Sequence, residues 1–152
     1  MRHFESFLNA LTQGIKHEGK RLYLSKREGG RFVEEENLTL EIDGKRLMFA
    51  KVFYGRKPYW KEWIELFHIE PSFFSSPFED KLYELISEHF GRIFVEYYED
   101  KQTSLELQRG VPPEETRLGK KLIEHGYKHL KNWYFPEGWM EGGYKLQGEK
   151  GL

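Results

Sequence analysis

An Asp-Gly pair at positions 43 and 44 separates two runs of alternating apolar residues. Leu38, Leu40 and Ile42 lead into it, and RLMFAKVFY leads out with Leu47, Phe49 and Phe53 on one face. Asp-Gly between such runs signals a hairpin, because both central residues of a type I′ turn take positive φ. The outgoing strand is apolar on both faces and is expected inside a sheet. RLYLS at 21–25 and WIELFHI at 63–69 add strands, Gly29-Gly30 a turn and residues 31–33 a return strand, so the first half reads as an antiparallel meander. The run Glu34-Glu35-Glu36 reads as a solvated loop.

The rhythm changes on either side of that meander. Phe4, Phe7, Leu8, Leu11 and Ile15 fall on one stripe of a helix over 2–15. Ser76-Pro77-Phe78-Glu79 reads as a helix start, with Ser76 as N-cap and Glu79 closing a capping box. Leu82, Leu85, Ile86 and Phe90 give this helix, over 77–90, its buried face. RIFVEYY at 92–98 is the next strand, central and parallel to 63–69, since a helical crossover joins the two. A helix over 113–125 follows, ended by Gly126. A strand with Tyr127, Leu130, Trp133 and Phe135 and a last one around Tyr144 and Leu146 close the chain. The expected fold is α+β: a mixed, mostly antiparallel sheet with helices on both faces, in one domain over 1–152.

Composition removes several function classes. Lys and Arg total 24 against 25 Asp and Glu, so no global field draws the chain to nucleic acid or an anionic membrane. Without cysteine there is neither a disulfide framework nor thiolate chemistry, and no metal is expected. No apolar run is long enough to span a bilayer, and the chain reads as cytoplasmic. The high share of charged and aromatic residues resembles that of heat-adapted proteins.

Helix, meander, strand, helix, strand, helix and two closing strands is also the element order of the GNAT-type N-acyltransferases. IEPSFFSSPFEDKLYELI (69–86) resembles their strand, pyrophosphate loop and helix, and LGKKLIEHGYKHLKNWYF (118–135) their final helix, Gly-aromatic break and strand. More narrowly, the stretch from Gly110 to Lys150 is similar to a small family of uncharacterised archaeal and bacterial proteins sharing GVPP, WYFPEG and KLQGEK. The superfamily resemblance implies acyl transfer from a CoA ester to an amine. Two departures bear on it. Phe74 to Asp80 stands in place of the glycine-rich loop, so Pro77 offers no N–H, the Ser76 side chain takes another, and Glu79 and Asp80 bring negative charge to the helix start. Leu122 stands where a tyrosine often serves as general acid. The chain is therefore expected to bind CoA esters poorly or in a non-standard pose, and its cofactor is left open.

The densest chemistry lies in Trp133 to Gly143. Its glycines permit close backbone approach, its aromatics offer stacking, and Glu137 and Glu141 are candidate bases or cation ligands. Trp133, Tyr134 and Lys145 are the matching ligand-binding candidates, set against a plain turn whose acids face water. Asp100 and Thr103 follow the central strand, where open sheets place ligands. His68, alternating with Ile64 and Leu66, is a further candidate base or else a core or cleft histidine. His125 and His129 have helical metal spacing, but Gly126 breaks the helix between them. Three readings follow: an acyltransferase with an altered donor site, a small-ligand or protein-binding module on the same fold, and, more distantly, a Rossmann-like methyltransferase, against which the early meander speaks.

Overall fold

Seven strands form one sheet in the order β1-β2-β3-β4-β5-β7-β6. The computed structural model describes residue 9 and residues 20–27, 33–42, 45–55, 62–134 and 144–150. β1 (Lys20–Arg27), β2 (Val33–Ile42), β3 (Lys45–Gly55) and β4 (Trp63–Phe67) are the antiparallel meander. Ile42 faces Lys45 across the ladder, which leaves the two residues of the Asp-Gly pair as the connection. Those two residues, the segment 2–15 apart from helical Asn9, and the turn over 135–143 lie outside the described residues.

α1 (Pro77–His89) carries the chain from β4 to β5 (Arg92–Glu96), and these two strands are parallel, as the crossover requires. β6 (Lys128–Tyr134) and β7 (Tyr144–Glu149) close the sheet antiparallel, with β7 against β5. A single parallel pair in an otherwise antiparallel sheet is not the frame of a doubly wound methyltransferase. No described helix is long and apolar enough to cross a membrane.

The core lies between the sheet and its helices. Met48 and Ala50 of β3 and Ile64 and Leu66 of β4 meet Leu82 and Ile86 of α1. Leu118, Leu122 and Tyr127 extend this layer toward β7, and the described helices share this one face. Gly126, at φ +93°, ends the last helix: its N–H reaches the Ile123 carbonyl and that of Tyr127 the Leu122 carbonyl, the double closure of a Schellman motif.

Several expectations are corrected. Glu34 to Glu36 do not form a loop but lie within β2, where the backbone register sets Glu35 opposite Arg27 and Glu36 opposite Lys26. Residues after β5 form a further helix, α2 (Lys101–Gln108), to which the sequence pattern assigns no element. The helix over 113–125 divides into a 3-10 turn at Pro113–Glu115 and α3 (Arg117–Glu124), because the Thr116 side chain caps Gly119 and starts the α-helix there. β4 ends at Phe67. His68, at φ +53°, leaves the alternation and stands exposed instead of joining Ile64 and Leu66.

Candidate functional site

Three helix starts converge on one guanidinium. Arg117, the first residue of α3, donates from Nη1 and Nη2 to the two Glu79 oxygens at 2.8 Å each, and from Nη2 and Nε to Asp100 Oδ2 at 2.8 and 3.1 Å. Glu79 lies in the first turn of α1 and is fully buried; Asp100 is the N-cap of α2, 4% exposed. Asp100 accepts from the Thr103 N–H and hydroxyl, and the Thr103 oxygen accepts the Leu118 N–H. Tyr83 donates to Glu79 at 3.0 Å, its hydroxyl pushed well up by burial and then by the Glu79 charge, so it remains a donor. Burial works against the Arg117 cation, yet the bonds to Glu79 and Asp100 outweigh it and hold it protonated.

This arrangement changes the account of the α1 start. Ser76 does not cap with its side chain; its hydroxyl donates to the Phe73 carbonyl at 2.6 Å. Glu79 instead reaches back to accept the Ser75 N–H at 3.0 Å, and the Ser76 N–H is taken by Phe73. With Pro77 lacking an N–H, the donors a phosphate needs are consumed, while the Glu79 charge is matched by Arg117 and not left to repel. Asp80 is paired as well, with Lys121 at 2.9 Å and His125 at 3.3 Å; the Lys121 bond pulls its carboxyl below the usual range. Asp80, Glu124 and His125 are close enough to share a metal ion, although Lys121 already holds one Asp80 oxygen.

The far face of the sheet carries the second constellation. Glu96, Lys145 and Trp133 face one another in turn across β5, β7 and β6. Lys145 is 4% exposed, 3.3 Å from Glu65 of β4 and 4.9 Å from the centre of the Phe67 ring. The Glu96 carboxyl is pushed up by burial, against the opposing pull of the His68 charge, a hydrogen bond from the His68 backbone N–H, and the Lys145 charge. His68 presents that N–H from a left-handed conformation unusual for a residue with a Cβ, a strain that clusters at functional sites. The Trp133 indole N–H donates to Gln147 at 2.6 Å, and Lys131 sits 4.1 Å over its ring. A half-buried carboxylate, a buried ammonium and a strained backbone donor at one strand end are equipped to take up and hand on a proton.

A family model described as a protein of unknown function, DUF1122, matches residues 18–152. The chain belongs to the DUF1122 family. It is similar to a solved structure, a protein of unknown function from Aquifex aeolicus VF5, at 54% identity over 88% of this chain and 72% of that one, with a TM-score of 0.77. No curated protein matches it.

Within this DUF1122 chain the residues singled out by sequence fall into separate places. Lys145, Trp133 and His68 come together on the far face, while Asp100 and Thr103 belong to the Arg117 cluster on the helix side. Tyr134 pairs with Tyr144 through the backbone. Glu137 and Glu141 lie outside the described residues. Sequence reasoning passed over Glu65 and Glu96. Their signal was a carboxylate set among the apolar residues of an interior strand, in WIELF and in RIFVE.

Proposed function

We propose that the chain is a single-domain enzyme on a GNAT-like fold that transfers an acyl group to an amine, with Glu96 as the base. The observation that carries this reading is the half-buried Glu96 at the end of β5, held by the His68 N–H beside Lys145 and Glu65. The order of elements and the single parallel pair around a crossover helix support the fold half of the proposal. In the reaction Glu96 removes one proton from the attacking ammonium, the amine adds to the acyl carbonyl, and as the carbon–sulfur bond breaks the leaving sulfur takes the second proton shed by that nitrogen, giving amide and free thiol. The altered α1 start favours a donor held by its acyl and thiol arm and not by its phosphates. The partner is a small molecule, not nucleic acid or membrane, and the setting is the cytoplasm.

A second reading, a binding module without chemistry, is favoured by the same closed α1 start. The test is thiol release from acetyl-CoA and from a short acyl thioester without phosphates, each with a panel of primary amines. Turnover with the short donor, reduced at least about tenfold by Glu96→Gln, supports the enzyme. Release no faster than without protein for every pair sinks it in favour of the module.

A further inference from the structure

On the helix side, where β5 runs out, a cleft of about 450 Å³ opens between α2 and the closing β6–β7 pair. That volume suits a small molecule. Tyr97 forms its buried floor, Tyr144 lies half-buried beside it, and Tyr98, 62% exposed, forms the rim. The Tyr98 and Tyr144 rings are 5.6 Å apart and tilted by 36°. An aromatic side chain exposed to this degree in a turn contributes little to the core. It leaves a broad π face toward the opening.

The polar lining is amide and hydroxyl. The Tyr97 hydroxyl donates to Asn132 Oδ1 at 2.6 Å, which fixes the Asn132 side chain and directs its N–H₂ elsewhere. Those N–H groups have no partner among the described residues, nor has the Gln108 amide. The Ser104 hydroxyl is already spent on the Tyr97 carbonyl. Among the described residues no acid, lysine, arginine or histidine lines the cleft, so it offers no counter-charge to an ion.

We infer that this cleft binds an uncharged planar heterocycle of the nucleobase type, stacked on Tyr98 and hydrogen-bonded at its edge by the Asn132 and Gln108 amides. Stacking on tyrosine suits any flat ring; the Asn132 N–H₂ as donor and the Gln108 amide as donor and acceptor suit a ring edge bearing both acceptors and donors. The site is independent of acyl transfer, and its ligand need not be the amine substrate. A charged phosphate on the ring adds nothing here.

The test is calorimetry on the full chain with adenosine, uridine, AMP and maltose. At least one nucleoside is expected to bind with a Kd below about 1 mM. Tyr98→Ala should weaken it about tenfold or more, and Gln108→Ala several-fold. Both residues are exposed, so circular dichroism of the variants should match that of the wild type. AMP should bind no better than its nucleoside, and maltose not at all. No binding by either nucleoside at about 5 mM, wild-type affinity in Tyr98→Ala, tighter binding of AMP, or equal binding of maltose overturns the assignment. Because the readout is binding and not thiol release, it stands or falls separately from the proposed reaction.

Discussion

Arg117 is one cation between two buried carboxylates, so its removal costs more than its own bonds. Arg117→Met leaves Glu79 and Asp100 facing each other in a low-dielectric site, and breaking a buried pair in this way costs about 3–5 kcal/mol. Thermal unfolding should show Tm lower by roughly 10 °C. Arg117→Lys should recover only part of this, since an ammonium lacks the planar fork that reaches both Glu79 oxygens. Glu96 should behave in the opposite sense. Burial raises its carboxyl in the folded state, so the protein gains from the proton below about pH 4, where the unfolded chain is also protonated, and loses that gain as pH rises through the folded value. Glu96→Gln is therefore expected to raise Tm at pH 7, with the advantage gone below about pH 4. A lower Tm at pH 7 would contradict the burial argument. At this scale the sequence announced Lys145, Trp133 and His68 as chemically useful without announcing their company. Glu65 and Glu96 join them through strand pairings remote in sequence, which local spacing does not encode.

Each helix start is built differently, and the differences explain which were legible. α1 was readable from Ser76-Pro77 and its apolar stripe, though the side chain that closes its first turn is Glu79 and not Ser76. α2 was not readable, because Leu105 and Leu107 stand two apart, a strand's spacing, and its stability comes from the Asp100 cap and the Arg117 cluster. α3 depends on Gly119. A Cβ there would lie 1.8 Å from the Pro113 carbonyl oxygen and 2.9 Å from the Thr116 hydroxyl. The obstacle is backbone in the 3-10 turn, so it cannot rotate away. Gly119→Ala, ordinarily favourable in a helix, should here cost about 3 kcal/mol, read as a lower urea midpoint at unchanged slope. Stabilisation by this substitution would mean that the turn yields more readily than the packing indicates.

Across the whole molecule the sheet has a protected middle and two edges. β3, β4 and β5 each pair on both sides, whereas β1 and β6 pair on one among the described residues. Hydrogen exchange should be slowest for Val52, Ile64, Ile93 and Val95, all fully buried, and orders of magnitude faster along β1 and β6. Equal protection of β6 and β4 would argue that something covers that edge. β6 is also interrupted: its register shifts between Lys128 and Lys131, with His129 at φ +51°, and a bulged edge is a poor template for a further strand. The one parallel pair has a consequence in time. β1 to β4 need only near neighbours in the chain to zip together, whereas β4 and β5 meet only after the longer crossover that contains α1 is closed over one face of the sheet. β7 reaches β5 later still, from some fifty residues further along. The cluster around Glu96 draws on β4, β5 and β7 together, so it is complete only when the pairings most remote in sequence have formed, and a chain halted short of β7 would carry most of the sheet without it.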